Sequence, residues 1–416
     1  MRINVQSPGA RLALANGNYR LFLSGQLVSQ TCGWMQRLAQ AWLVLDLTES
    51  PLALGTLTTL QFLPILLLSL IAGALADRLP KRRTLLALQM IAATQSMALA
   101  ALAATGRVEV WHVYLLALVQ GTISAMEQPL RQAFPVELVG RDLIPHAVAL
   151  NSAAFNTARI LGPALAGAAI AWISLTGAFL VNAGSSVVVV ALLLRMRIDV
   201  VPVAAPSRGL NTFGQIREAL GFAAHRPAIV FALGALSWLG IFGFNYMTFM
   251  PLLARYGLDL GPSGYGMLST ALGVGALVGA LLIARRTSTA PGRMVAGGIA
   301  FSGLLAAVGL SPWLATSLAL LALLGTAGVL FTTTANTIVQ VNAPDAMRGR
   351  IMGLYTLLLA GMTPPGAMVT GTLADLWGIR ATLTIEAIVC LVGVLAAMRY
   401  LATRRPAMAQ ALAVAH

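Results

Sequence analysis

The feature that most constrains this chain is a series of long apolar segments separated by short polar connectors. Each segment is close to the roughly 20 residues that a helix needs to cross a bilayer core. Because a backbone in lipid must satisfy its own hydrogen bonds, each segment is expected to be an α-helix. The sequence therefore predicts an all-α integral membrane fold with twelve transmembrane helices. The segments lie near 21–46, 52–76, 83–105, 110–134, 143–173, 175–195, 227–254, 263–285, 293–311, 315–338, 349–375 and 380–402.

The composition excludes a soluble protein. Only 10% of the 416 residues are charged and 58% are hydrophobic, whereas soluble domains carry about 25% charged residues. So few charges cannot cover a water-facing surface of this size. Most of the surface is therefore expected to contact the lipid bilayer.

The longest polar stretch divides the chain into two halves. We predict an N-terminal six-helix bundle over 1–195, a cytoplasmic linker over 196–226, and a C-terminal six-helix bundle with a short tail over 227–416. The halves are weakly similar, which favours two pseudo-symmetric bundles that arose by duplication. A shift of 204 residues places Leu150 on Leu354, Gly162 on Gly366 and Gly167 on Gly371.

The basic residues predict the orientation. Arginines cluster in every second connector, and only Arg107, Arg255 and Arg380 lie in the connectors of the opposite side. Basic residues mark cytoplasmic loops, so we expect a multi-pass protein of the cytoplasmic (inner) membrane with both termini in the cytoplasm. The net charge of +14 is spread singly or in short groups between apolar runs. This pattern argues against nucleic-acid binding, which needs a hydrophilic basic domain.

The sequence offers no constellation for catalysis, a metal or ATP. Lys81 is the only lysine, and because Arg82 follows it the chain has no Gly-Lys-Ser/Thr phosphate loop. Cys32 and Cys390 lie in separate apolar runs and allow no metal or disulfide framework. We therefore expect no enzyme, no cofactor and no ATP site in this chain. Energy for any work must come from an ion gradient, a substrate gradient or a partner subunit.

Polar side chains recur at helical spacing inside the first, fourth, seventh and tenth segments. A buried charge in lipid costs several kcal/mol unless it is paired or hydrated, so these faces predict a shared hydrated cavity. Hydrogen bonding between helices by Gln and Thr is the alternative interpretation. The third segment also carries Gln89, Gln95 and Ser96, for which we predict no cavity role. The predicted substrate-cavity residues are Gln26, Gln30, Arg37, Gln40, Gln120, Ser124, Trp238, Phe242, Asn245, Phe249, Thr333 and Thr337.

The connector between the second and third segments carries a recognisable motif. It reads Gly73-Ala-Leu-Ala-Asp77-Arg78-Leu-Pro80-Lys81-Arg82-Arg83. It resembles the cytoplasmic signature G-x-L-a-D-r-x-G-r-k of the major facilitator superfamily, with Pro80 in place of the second glycine. The runs Trp34–Leu45, Glu127–Phe134, Ala149–Asn156 and Arg159–Pro163 are similar to its exporter branch, which includes enterobactin and macrolide efflux proteins. The resemblance covers residues 18–402.

The resemblance implies the major facilitator fold and transport by alternating access. It also implies a cytoplasmic gate in which Asp77 bridges to charges on the fourth helix and at the start of the eleventh. Arg82 and Arg83 have an equally good alternative interpretation, in which they only fix the orientation of the neighbouring helices in the membrane. The implied gate residues are Gly73, Asp77, Arg78, Arg82, Arg131, Arg348 and Arg350. The fifth helix retains part of an antiporter motif, formed here by Asn156, Arg159, Gly162, Pro163 and Gly167.

The resemblance further implies proton-coupled efflux of small amphipathic molecules, such as drugs, macrolide-like compounds or siderophores, by a monomer. The candidate proton carriers are Glu127, which lies within a polar face, and the less favoured Glu386 and Asp46. Uptake or facilitated diffusion by the same fold is an alternative. A non-transporting membrane protein, such as a lipid scramblase or a sensor, is an alternative of another class.

Overall fold

The computed structural model describes residues 8–139, 143–196, 212–285, 291–344 and 347–414. These residues form α-helices joined by short turns and one π-helical turn, Leu253–Gly257, which directly follows α9. The helices are α1 Pro8–Ala15, α2 Gly17–Thr48, α3 Pro51–Arg78, α4 Lys81–Ala104, α5 Val110–Val139, α6 Ile144–Arg195, α7 Thr212–Ala224, α8 Pro227–Phe242, α9 Tyr246–Leu252, α10 Pro262–Arg285, α11 Pro291–Leu310, α12 Leu314–Asn342, α13 Arg348–Ala360 and α14 Thr363–Val414.

The turn between α2 and α3 shows how local sequence sets the helix ends. Glu49 ends α2 in the left-handed conformation, with φ of 53°. Ser50 then caps α3, because its side-chain oxygen accepts a hydrogen bond from the backbone N–H of Ala53 at 3.3 Å. Pro51 occupies the first turn of α3, where its missing N–H costs nothing. Two residues thus reverse the chain between neighbouring antiparallel helices.

Two of the longest helices contain a sharp backbone break. In α6 the break is at Ser174, with φ of 71°, and in α14 it is at Gly378, with φ of 76°. Each break separates two of the predicted segments. The two positions are 204 residues apart, which is the shift that relates the two halves of the sequence. The repeated break is an independent structural sign of the duplicated unit.

The chain divides into two compact units. The N-terminal unit contains Met1–Arg208 together with Leu260–Thr270, and the C-terminal unit contains Gly209–Asp259 and Ala271–His416. In the N-terminal unit α2 and α4 pack on α6, and α3 packs on α5. In the C-terminal unit α14 packs on α8 and α11, and α11 also packs on α12. The linker predicted over 196–226 lies partly outside the described residues, and α7 belongs to the C-terminal unit.

Eight helical stretches of the described chain are long and apolar enough to cross a membrane. One of them, Arg348–Arg404, contains the last two predicted segments on either side of the Gly378 break. Helices α2 and α5 are also long, at 32 and 30 residues, but they carry most of the polar side chains of the predicted cavity. The number of twelve crossings stays a prediction.

A close backbone contact joins α10 and α12 within the C-terminal unit. A side chain added at Gly275 would collide with the backbone carbonyl of Ala322, and one added at Gly325 would collide with that of Leu272. The two glycines therefore let the helix backbones approach to direct contact, as is common in membrane helix pairs.

Candidate functional site

The N-terminal unit encloses a cavity of about 50 Å³. Helices α2, α4, α5 and α6 all contribute to its wall, and most of the lining side chains are polar. The volume is sufficient for a few water molecules, since one water needs roughly 10–15 Å³ measured in this way. The lining residues are Ser29, Gln30, Gly33, Arg37, Gln89, Ala92, Gln120, Ile123, Ser124, Glu127, Arg131, Asn182 and Ser186.

An ion pair with hydrogen-bonded neighbours forms one wall of this cavity. The Arg131 guanidinium lies 2.6 Å from Glu127 Oε1, one helical turn away on α5. Gln89 Nε2 donates to the same carboxylate oxygen at 2.5 Å, and Arg131 also donates to Ser29 Oγ at 2.9 Å. Glu127 therefore holds side chains of α4 and α5 together through its charge, and Arg131 links them to α2.

Arg37 of α2 also lines the cavity. Its guanidinium donates to Ser124 Oγ at 3.1 Å. It also lies 5.1 Å from the Trp34 ring centroid and 5.5 Å from that of Phe62, distances at which cation–π attraction operates. Glu127 is near enough to interact electrostatically with Arg37, although it is hydrogen-bonded to Arg131.

A buried amide and hydroxyl network lies beside the cavity and joins α2, α4 and α6. Gln36 Nε2 donates to Gln95 Oε1 at 2.9 Å, and Gln36 Oε1 accepts from Ser96 Oγ at 2.6 Å. Asn182 Nδ2 donates to both Gln36 Oε1 and Ser96 Oγ. All four side chains are at most 5% exposed. The network therefore fixes the mutual register of three helices of the N-terminal unit.

We expect Asn182→Leu to lower the unfolding free energy by about 1–3 kcal/mol, because Gln36 and Ser96 lose a buried partner. The unfolding temperature of detergent-purified protein measures this loss. Gln340→Leu is the control, since Gln340 makes an exposed bond to Asn336 on α12 and its loss should cost less than about 0.5 kcal/mol. Equal unfolding temperatures for the two variants would contradict the structural role of the network.

The C-terminal unit contains a buried acidic chain. Asn245 Nδ2 donates to Thr370 Oγ1 at 3.1 Å, and Thr370 Oγ1 donates to Glu386 Oε1 at 2.6 Å. Glu386 and Thr370 are fully buried, and Glu386 Oε2 has no hydrogen-bond partner among the residues that the structure describes. Asn245 lies at the interruption between α8 and α9. These hydrogen bonds thus connect α14 to the interruption between α8 and α9. In the C-terminal half of the sequence, α8 and α9 occupy the position that α2 has in the N-terminal half.

The remaining predicted cavity residues of the N-terminal unit are buried outside this cavity. Gln26 lines a narrower and mainly apolar fissure that also reaches Glu127 and Arg131. Gln40 is fully buried and accepts from Gln61 Nε2 at 2.8 Å, so it joins α2 to α3.

The predicted aromatic and threonine positions of the C-terminal unit differ in exposure. Trp238 is 41% exposed and stacks on Phe242 at 5.8 Å, whereas Phe249 is fully buried against Tyr246. Thr333 and Thr337 are half-buried on α12, where Thr337 Oγ1 donates to the carbonyl of Thr333.

The residues assigned to the gate are spread over several environments. Arg131 lines the cavity and pairs with Glu127, as described above. Arg82 donates to the backbone carbonyls of Leu193 and Leu194 at the C-terminal end of α6, where cations are favourable. Arg78 and Arg348 are exposed, Gly73 is half-buried, and the Asp77 side chain lies outside the described residues.

Two ion pairs lie near the gate residues but were not predicted. Lys81 Nζ lies 2.5 Å from Glu137 and joins α4 to α5, with Lys81 8% exposed. Arg350, a predicted gate residue, lies 2.5 Å from Glu218 of α7 in a more exposed pair. Asp46 is exposed at the end of α2.

The described residues of the fifth-segment motif, Gly162, Pro163 and Gly167, form a surface on which neighbouring helices pack. A side chain added at Gly162 would come within 2.5 Å of Trp34 Cβ, and one added at Gly167 within 3.0 Å of Gly266 Cα. Pro163 is buried between them. The side chains of Asn156 and Arg159 lie outside the described residues.

Sequence reasoning missed the contributions of α4 and α6 to the cavity. Gln89, Asn182 and Ser186 line it, yet we assigned the polar residues of the third segment no role. The four-residue spacing of Asn182 and Ser186 is a signal that could have found them, because it places both on one helical face.

The long apolar helices define a polytopic membrane protein. Solved structures share the fold over more than nine-tenths of this chain. A bacterial homologue of the human lysosomal transporter Spinster, inward-facing and unoccupied, superposes with a TM-score of 0.74 at 13% identity and covers 93% of this chain and 98% of its own. The nucleoside transporter NupG gives 0.71 at 14% identity, with 92% and 98% covered. These superpositions confirm the all-α fold that the sequence predicts.

Sequence comparison gives the family. Residues 9–413 match the model of the transmembrane secretion effectors, and the chain belongs to this family of the major facilitator superfamily. The multidrug efflux pump Tap of Mycolicibacterium fortuitum is 28% identical over 91% of this chain and 95% of its own length. The staphyloferrin A transporter of Staphylococcus aureus is 24% identical, with 89% and 92% covered. The family and these relatives are transporters rather than enzymes.

Proposed function

We propose that this protein is a proton-coupled exporter of small amphipathic molecules that works by alternating access. The observation that carries the proposal is the Glu127–Arg131 pair on the wall of a water-sized cavity inside an apolar helix bundle. Charged groups are rare within membrane segments and mark ion or substrate pathways.

The pair supplies a simple coupling step. Ionised Glu127 accepts from both Arg131 and Gln89, which ties α4 to α5. A proton on Glu127 removes the negative charge and releases Arg131. Proton binding and the arrangement of the cavity wall are therefore linked, because each arrangement favours one protonation state.

Glu386 is the second candidate proton carrier, since its buried carboxylate bonds to Thr370 and to no cation among the described residues. Asp46 is the third and lies outside both clusters.

The name of the first relative supports export as the direction, and both names support a small-molecule cargo. One is named as a multidrug efflux pump and the other as a transporter of staphyloferrin A. We propose the same broad classes here: drugs, macrolide-like compounds or siderophores. The cavity lining of Gln30, Gln120, Ser124 and Arg37 offers polar contacts to the polar end of such a molecule.

The remaining parts of the proposal follow the family pattern. The protein acts as a monomer in the inner membrane with both termini in the cytoplasm. We propose a cytoplasmic gate that contains Gly73, Asp77, Arg78, Arg82, Arg131, Arg348 and Arg350. The exposure of Arg348 at the start of α13 is consistent with a cytoplasmic position.

Transport by everted membrane vesicles tests the proposal. Vesicles containing the protein should accumulate a fluorescent amphipathic dye when a pH gradient is imposed, and a protonophore should abolish the accumulation. Vesicles without the protein are the control.

Equal dye movement with and without the gradient would reject proton coupling and leave a facilitated-diffusion permease. Accumulation only in right-side-out vesicles would indicate uptake. Movement of labelled lipid in liposomes, without dye transport, would indicate a scramblase.

A further inference from the structure

The cavity of the N-terminal unit carries an uneven charge. Its lining includes two guanidinium groups, Arg37 and Arg131, and one carboxylate, Glu127. Because Glu127 pairs with Arg131 at 2.6 Å, the lining leaves the charge of Arg37 without a matching ion pair. A cation inside a bilayer is costly unless an anion, dipoles or water compensate it. The cavity therefore favours a guest that carries negative charge.

The Arg37 guanidinium has hydrogen-bond donors left for the charged group of such a guest, and the cavity of about 50 Å³ holds that group rather than the whole molecule. Its hydrogen bond to Ser124 uses one of the five N–H groups of the guanidinium. Trp34 and Phe62 provide ring contacts rather than strong acceptors. A carboxylate matches the remaining fork of N–H groups and can accept two parallel hydrogen bonds.

Two acceptors of the residues that line this cavity also lack partners in the described part of the chain. The Oε1 atoms of Gln89 and Gln120 are buried and accept no hydrogen bond from the described residues. The orientation of the Gln89 amide is fixed, because its Nε2 donates to Glu127. An unsatisfied buried acceptor is unfavourable, so each gains from a donor on the guest. The donor can be a hydroxyl or an amide N–H.

We propose that Arg37 is the anchoring site for a carboxylate of the substrate and that Gln89 and Gln120 receive a hydroxyl or N–H of the same molecule. The substrate class is then a carboxylate with a nearby hydrogen-bond donor, such as a hydroxy acid attached to an apolar body. This inference names the substrate class for the proposed transport function and rests on it.

A matched set of probes tests the inference by thermal unfolding of the full-length protein in detergent. The probes are mandelate, mandelamide, which lacks the charge, and phenylacetate, which lacks the hydroxyl. Mandelate should raise the unfolding temperature in a concentration-dependent way, because a ligand that binds the folded state stabilises it. Mandelamide should give no comparable shift, and phenylacetate should bind several-fold more weakly.

Arg37→Gln should weaken apparent mandelate binding at least about tenfold, because the charge-assisted pair is lost. Arg37→Lys should retain part of the mandelate binding, because lysine keeps the positive charge but lacks the planar fork of N–H groups. Arg226→Gln is the matched control, since Arg226 also lies over an aromatic ring, that of Phe222, at 5.2 Å, but is exposed and is not among the residues that line the cavity. This variant should bind mandelate as the wild type does.

Three results would overturn the inference: no mandelate shift of the wild type, equal shifts by mandelate and mandelamide, or an unchanged mandelate response of Arg37→Gln. The wild-type comparison of mandelate with mandelamide does not depend on whether a variant folds. The binding assay uses no proton gradient. A protein that binds mandelate through Arg37 but shows no gradient-driven export would therefore refute the proposed function and not the carboxylate site.

Discussion

Glu127→Gln should strongly reduce gradient-driven accumulation in everted vesicles while leaving the protein folded in the membrane. Gln has nearly the same shape as Glu but cannot be protonated or form the ion pair with Arg131. Hydrogen bonds to charged groups contribute about 1.5–3 kcal/mol, so a fall in driven transport of at least about tenfold is expected. Exchange of substrate without a gradient should continue, because alternating access needs no net proton movement.

Two further variants make this test selective. Glu109→Gln is the control, because Glu109 is exposed and bonds only locally to Trp111 Nε1, at 2.7 Å. Its transport should equal that of the wild type. Glu386→Gln asks whether the buried acid of the C-terminal unit carries the proton instead. If Glu127→Gln retains the driven rate and Glu386→Gln loses it, coupling belongs to the Glu386–Thr370–Asn245 chain.

Gly275→Val should clearly lower the yield of folded protein. Its side chain would overlap the backbone carbonyl of Ala322, which cannot rotate away as a side chain could. Helices α10 and α12 would have to separate, and overpacking of this kind costs about 3 kcal/mol or more. That is a large part of the roughly 5–15 kcal/mol that stabilises a typical fold.

The yield of monodisperse protein in fluorescence-detected size-exclusion chromatography measures the effect. Gly303→Val on α11 is the matched control, since nothing lies within 4 Å of a side chain added there. It should be recovered at the wild-type yield. Equal yields for the two variants would contradict the close contact between α10 and α12.

Helical periodicity explains why part of the cavity was predictable. Gln30 and Arg37 on α2, and Gln120 and Ser124 on α5, recur at helical spacing and so share one face of their helices. The structure places all four on one cavity. Their polarity in an otherwise apolar segment carried the signal, because lipid contact would be costly for them.

The same argument could not separate cavity residues from polar residues that join helices. Gln40 belongs to the α2 stripe but is buried against Gln61, and Gln36 lies outside the stripe but organises the buried network. Gln89 has a cavity role only because α4 brings its amide to Glu127. A single sequence shows which polar side chains must be shielded from lipid. It does not show which of them line a hydrated cavity and which form hydrogen bonds between helices.

The sequence by itself determined the membrane-embedded helical class, the division into two related halves and the family. These follow from the length of the apolar runs, the repeat at 204 residues and the loop motif at Gly73–Arg83. Only the tertiary structure decided that Glu127 is held by both Arg131 and Gln89, while Arg37 forms no ion pair of its own among the described residues. The physical reason is that hydropathy acts on each segment separately, whereas ion pairs depend on the rotation and register of neighbouring helices.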